Sequence, residues 1–157
     1  TLPSTTNGAI SVGYYNQNNN SVVSESSNGY TRYGNIKPDI VAGGSNALVT
    51  IPGGTTSVMT GSSVAGAVVA GCCALILQWA VSDGNYPDIY ASQIKTYIIS
   101  GAKTRPGDIY PNRQWGYGMF DLQRIFDWIQ QTYTPRINDD FEEYRVKNLF
   151  IRKPKDL

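Results

Sequence analysis

Histidine is missing from this 157-residue sequence. A histidine-based triad, a zinc site of the His type or a His acid–base therefore cannot be completed from this polypeptide alone. Cysteine is nearly missing: the two present, Cys72 and Cys73, are adjacent. Neighbours on a helix point about 100° apart and do not meet disulfide geometry. A vicinal pair without histidine also has no metal-ligand spacing. The pair reads as small buried apolar residues, and a disulfide-stapled scaffold is disfavoured. Net charge is small as well: 13 Lys and Arg against 12 Asp and Glu leave +1. Nothing in that balance favours nucleic acid or an acidic membrane surface as partner. There is no initiator Met and no basic-then-apolar leader. Thr1 thus reads as a cut made inside a longer chain.

What is present is enough for one modest domain with a core. The 16 glycines point to many tight turns. The first half reads as strands and turns. Ala9 to Tyr15 has strand composition and runs into Asn16–Asn20, a turn, since Asn tolerates left-handed backbone. Pro38 to Ala42 reads as a short buried strand stopped by Gly43-Gly44. Val49 to Met59 is broken by the loop signal Pro52-Gly53-Gly54. No internal repeat is visible.

The second half changes period. Ser63 to Trp79 is apolar on nearly every side, with small residues first and large ones later. A helix without a polar face is a buried helix. Its length is marginal for a membrane span, and Gly66, Gly71 and the polar flanks favour a core helix instead. Ser82-Asp83-Gly84-Asn85 breaks it. Ile89 to Ser100 is an amphipathic helix with Ile94, Tyr97 and Ile98 at helical spacing. Gly116-Tyr117-Gly118-Met119 is a tight turn or short strand. Asp121 to Thr132 is a third helix carrying Leu122, Ile125, Phe126 and Ile129. Residues 1–135 form the folded part. Residues 136–157 form a charged tail whose Phe141, Val146, Leu149, Phe150 and Ile151 suggest docking.

The segment with chemical promise is Thr60-Gly61-Ser62-Ser63-Val64-Ala65. A helix start leaves backbone N–H groups unpaired and carries partial positive charge. An oxyanion forming beside Ser63 would meet those donors, each worth roughly 3 kcal/mol in acyl transfer. Gly61 allows the sharp turn into the helix. Position alone leaves two readings open: a nucleophile, or an ordinary N-cap serine, which is the commoner case.

The order of several motifs decides between them. Gly61-Ser62-Ser63-Val64-Ala65, followed by Val69-Ala70-Gly71, resembles the nucleophile signature of the subtilisin-like serine proteases, Gly-Thr-Ser-x-Ala then Val-Ala-Gly. Lys37-Pro38-Asp39-Ile40-Val41-Ala42-Gly43-Gly44 is similar to the family's Lys-Pro-Asp-x-x-Ala-Pro-Gly segment. Ile10-Ser11-Val12-Gly13 resembles the strand upstream of it, and Gly116 to Asp121 resembles the turn into the late helix. These matches cover about residues 3–130. Gln78-Trp79-Ala80 and the Gly-rich turns resemble the clostridial branch, which includes spore-germination proteases.

The resemblance implies an α/β fold: the C-terminal half of a three-layer subtilisin-like domain, with a parallel sheet and a buried central helix starting at the nucleophile. It implies Ser63 as nucleophile, with its N–H an oxyanion donor. Gly61 and Ser62 support that site, Ser62 standing where the family usually has Thr. Val64 is placed on the leaving-group side. The family's Asp, His and oxyanion-hole Asn lie earlier than Thr1. The implied partners are the upstream half of the same protein and a peptide or protein substrate; nucleic acid and a membrane span are not implied. Ser62 for Thr, Gly43 for Pro and Ala67-Val68 for a common Pro-His pair keep a second reading open. That reading is a catalytically inactive subtilase acting as a binding or signalling partner. A third reading, an autonomous small α/β binding domain, predicts cooperative monomeric folding. A spore or cell-envelope setting follows from the resemblance only.

The remaining candidates are weaker. No cofactor is expected in this chain, while the family allows calcium in the parent. Asp83-Gly84-Asn85 with Asp88 is one place for it, but the spacing lacks a full ligand ladder and reads as an inter-helix turn. Asp139-Asp140 and Glu142-Glu143 read as a solvated acidic patch. Tyr14, Tyr15, Tyr30 and Tyr33 read as rim or core packing rather than a substrate cleft.

Overall fold

The computed structural model describes residues 4–133. The charged tail, with its apolar residues and acidic pairs, lies outside them.

The asparagine run folds as its side chains dictate. Asn16 Oδ1 accepts the Asn18 N–H, Asn19 Oδ1 accepts the Ser21 N–H, and Asn20 takes a φ of 53°. These Asx contacts close a hairpin between β1 (Val12–Asn16) and the short β2 (Ser21–Val22). On its other edge β1 pairs in parallel with β3 (Ile40–Gly43), with Val12 opposite Ile40 and Tyr15 opposite Gly43. A further parallel bridge joins Val41 to Met119. The strand expected from Ala9 starts only at Val12. Its first residues spend the carbonyl of Ala9 on lysine side chains instead of a strand partner. Pro52-Gly53-Gly54 is the tip of an antiparallel hairpin, β4 (Ala47–Ile51) and β5 (Thr55–Met59), with Gly53 and Gly54 at φ of 92° and 73°.

Three α-helices follow among the described residues. α1 (Ser62–Leu77) continues into a single π turn, Gln78–Ser82. α2 (Ala91–Ser100) begins at Tyr90, whose N–H is accepted by Gln93 Oε1 at 2.7 Å, a capping box. α3 (Leu122–Tyr133) starts with Asp121 Oδ1 accepting the Arg124 N–H. Each lies within two residues of its expected bounds, except that the long apolar helix ends in the π turn.

Strand alternation sorts the core into two sides. Tyr14, Ile40 and Ala42 face the helices and pack with Ala65, Val69 and Ile76 of α1, Ile94, Tyr97 and Ile98 of α2, and Ile125 and Ile129 of α3. Val41 faces the other way, onto Trp115 and Met119, with Tyr15 tilted against Trp115 at 5.6 Å. The fold is thus mixed α/β, with helices on one face of the parallel pair and an aromatic loop on the other.

Among the described residues, burial of α1 is one-sided. Val64, Ala65, Val69 and Ile76 are buried. On the opposite side Val68, Leu75 and Leu77 are more than 40% exposed, and Ala67, Ala70, Gly71 and Ala74 are exposed with them. From Ser62 to Ser82 the helix is long and apolar enough to cross a membrane. Its inner residues, however, are integral to the core shared with β1, β3 and the other helices. The absence of a polar side reflects contact needs on both sides, of which the described residues meet one.

α2 and α3 meet at Gly101, where an added Cβ would lie 2.5 Å from Ile125 Cα. Backbone cannot yield there as a side-chain tip can. Gly101→Ala in the full-length protein should lower stability by about 1–3 kcal/mol, read from the urea midpoint. The neighbouring exposed Ser100→Ala should stay within about 0.5 kcal/mol.

Candidate active site

The start of α1 rests on the turn that ends β3. Gly44 donates its N–H to Tyr15 O at 3.2 Å and accepts the Gly61 N–H at 2.8 Å. A Cβ on Gly44 would stand 2.7 Å from Gly61 O and 2.8 Å from Tyr14 Cβ. Only glycine lets the sheet edge and the helix start approach this closely. The same turn is held from two more directions. Gln17 brackets Ser45, its amide donating to Ser45 O and its Oε1 accepting the Ser45 N–H. Thr60 Oγ1 accepts the Asn46 N–H at 2.8 Å.

Gly61 is the N-cap, at φ 151°, a backbone region that disfavours side chains. Its carbonyl accepts the first helical bonds, from Val64 and Ala65 N–H. The N–H groups of Ser62 and Ser63 precede these bonds and have no partner within the helix. Ser63 is therefore not the cap but lies two residues inside, and no side-chain cap hydrogen bond forms. Both serines are exposed, whereas Val64 is 8% exposed. No acidic residue lies in the first turn to neutralise the positive helix end. The result is an exposed hydroxyl beside unpaired N–H donors on a rigid helix. That arrangement suits attack on a carbonyl and stabilisation of the oxyanion it leaves.

An open groove of about 860 Å³ adjoins this end. It is lined by Ser62, Gly66 and Cys73 of α1 and by Gly13, Gly29 and Tyr30; Ser63 itself is not part of the lining. Burial pushes the Cys72 thiol up, and burial followed by the charge of Cys72 pushes Cys73 up. The two cysteines are half-buried rather than buried as expected, and both shifts move the thiols away from the reactive thiolate.

Of the other candidates, only Tyr30 reaches the groove. Asn85 Nδ2 donates to Trp79 O at 2.8 Å, so its amide closes the helix end as the inter-helix turn requires. Among the described residues no cluster of three or more His, Cys, Asp or Glu is poised to hold a metal ion. The four tyrosines do not gather. Tyr14 is in the core, Tyr15 lies on the opposite side of the sheet, Tyr30 lies under the Arg113 guanidinium and lines the groove, and Tyr33 is 87% exposed.

Sequence reasoning matched Lys37-Pro38-Asp39 as a motif but missed what its charges do. Asp39, 3% exposed, is paired with Lys37 at 2.6 Å and with Lys95 of α2 at 2.8 Å, and accepts the Ser11 N–H at 2.7 Å. A charged pair inside an otherwise short buried strand segment was the available signal. The second lysine, far along the chain, carried none.

Comparison with known proteins places the chain. The model of the subtilase family matches residues 1–118. An intracellular serine protease of Paenibacillus polymyxa is 39% identical over 132 residues, covering 80% of this chain and 37% of the relative. Pyrolysin of Pyrococcus furiosus is 32% identical over 142 residues, covering 76% of this chain and 10% of the relative. Among solved structures, the CspB protease of Clostridium perfringens superposes with a TM-score of 0.77 at 40% identity, over 82% of this chain and 28% of that one. The chain thus spans little more than a third of the first relative's length and less than a third of the CspB protease.

The position of Ser63 makes a prediction that separates a cap from a reactive hydroxyl. Ser63→Ala should leave the melting free energy of the full-length protein within about 0.5 kcal/mol. Loss of a capping serine would cost about 1 kcal/mol. A thermal melt of both forms decides.

Proposed function

The chain belongs to the subtilase family, and on that premise we propose that it is the serine-bearing part of a serine endopeptidase acting through an acyl-enzyme on Ser63. The observation that carries the proposal is the exposed Ser63 hydroxyl, two residues into α1, beside N–H groups that no helical carbonyl uses. Ser63 Oγ attacks the peptide carbonyl carbon, and its proton passes to a histidine. The carbonyl oxygen becomes an anion and meets the Ser63 N–H. The tetrahedral adduct collapses, the C–N bond breaks, and the histidine returns the proton to the leaving amine. Water then cleaves the acyl ester by the same steps in reverse order.

The histidine must come from outside these residues, since the chain has none. We assign it, with its orienting carboxylate, to the upstream half of the same protein. Support for that partner comes from α1. Val68 and Leu75, with the exposed Gly71 and Ala74 beside them, form an apolar side that the described residues leave uncovered, and such surface needs a partner. Gly61 supplies the turn that aims the helix start. Ser62 takes the place of a threonine beside the oxyanion. Val64 belongs on the leaving-group side; at 8% exposed it would act there as a packed wall. The substrate class is peptide or protein.

The test is a fluorophosphonate probe on the full-length protein, with peptide mapping. Ser63 should be the labelled residue, and Ser63→Ala should abolish labelling while leaving the melt unchanged. No labelling alongside a labelled control protease would replace the enzyme by a catalytically inactive subtilase with a binding role.

A further inference from the structure

The buried charges around Asp39 take no part in the proposed chemistry, and they have a composition of their own. The Lys37 side chain is 8% exposed. Its Nζ donates to Asp39 Oδ2 at 2.6 Å, Thr6 O at 3.1 Å and Ala9 O at 3.2 Å. An ammonium has three donors and no acceptor, so these bonds satisfy it completely. Every neighbour is an oxygen, two from the backbone and one from a carboxylate. That is the donor set that hard metal cations select. Lys95 lies on the far side of the same carboxylate, at 2.8 Å from Asp39 Oδ1, and donates to Asn7 O at 3.0 Å and Ala9 O at 3.1 Å. Its side chain is 19% exposed and so keeps partial hydration. Lys37 is the enclosed cation of the two. One carboxylate thus faces two ammonium groups, and the surplus positive charge is spread over the carbonyls of Thr6, Asn7 and Ala9. The segment carrying those carbonyls leads into β1 without a strand partner.

We propose that Lys37 is a built-in cation. Its tethered ammonium fills an oxygen-lined cation site and fastens residues 6–9 to the β1–β3 pair without a bound metal ion. Tethering matters because the ion cannot dissociate: a metal in the same oxygen shell would hold this segment only at a sufficient free concentration. Removing the ammonium leaves two carbonyls and a carboxylate facing a space the size of an ammonium ion. Small cations able to bind those oxygens should then occupy it.

The test reads stability, so it stands apart from any outcome at Ser63. Full-length Lys37→Gly and native protein are melted with a chelator present. The added salts are tetramethylammonium, ammonium or potassium chloride at equal ionic strength. Tetramethylammonium carries the charge but is bulky and has no N–H donor. The variant should melt several degrees lower than native in tetramethylammonium chloride. Ammonium and potassium should restore about half of that loss in a saturable way, and the native protein should melt alike in all three. Equal recovery in all three salts, which would be charge screening, overturns the proposal, as does an unchanged melting temperature for the variant. If the variant does not fold, acetylation of native protein gives the answer. Lys37 should be acetylated about tenfold or more slowly in the native protein than in urea. Equal rates overturn the proposal.

Discussion

One backbone hydrogen bond joins the sheet of this chain to its central helix: Gly61 N–H to Gly44 O, 2.8 Å long. It forms only because Gly44 carries no side chain in the space between them. A Cβ on Gly44 would collide with Gly61 O, and Gly61 takes a φ that side chains avoid. Everything at the helix start follows from this junction. Ser62 and Ser63 are held in the open while Ala65, one turn in, is fully buried against the same glycine. The frame is stiffened at second hand, by Gln17 on Ser45 and Thr60 on Asn46. A nucleophile benefits from such support, since misplacement by a small distance costs much of the rate.

The charges around Asp39 serve the other end of the same strand pair. Burying a carboxylate is costly unless its lone pairs are met. Here two ammonium groups and the Ser11 N–H meet them, and the lysines spend their remaining donors on backbone carbonyls. A lysine from α2 thereby locks the approach to β1 onto the turn before β3. The sheet is anchored by glycine contact at its C-terminal edge and by ionic contact at its N-terminal edge. Hydrophobic packing fills the middle, from Ile40 and Ala42 to Ile98 and Ile125.

Much of this was legible because the signals are local. The Asn16–Asn20 turn, the Pro52-Gly53-Gly54 hairpin tip and the Ile94, Tyr97, Ile98 stripe each depend on residues a few positions apart. Their physics, left-handed tolerance and helical period, acts over that range. The candidate site was legible as an order of motifs, while a serine near a helix start was ambiguous in isolation. Two things were not legible. Lys95 reads as an ordinary polar position on α2 until the fold brings it to Asp39. The apolar run of α1 shows that both sides of the helix want cover but not which side the described residues provide.

The sequence by itself determined where the chain turns, which stretches are helical, and that a histidine-dependent reaction cannot be completed within it. These are matters of composition and short-range stereochemistry. Tertiary structure alone decided that Ser63 lies inside the helix rather than capping it. It also decided that Lys37 and Lys95 share one carboxylate, and which side of α1 the described residues bury. Those outcomes depend on the distance between residues remote in sequence, which only the packed sheet and helices set.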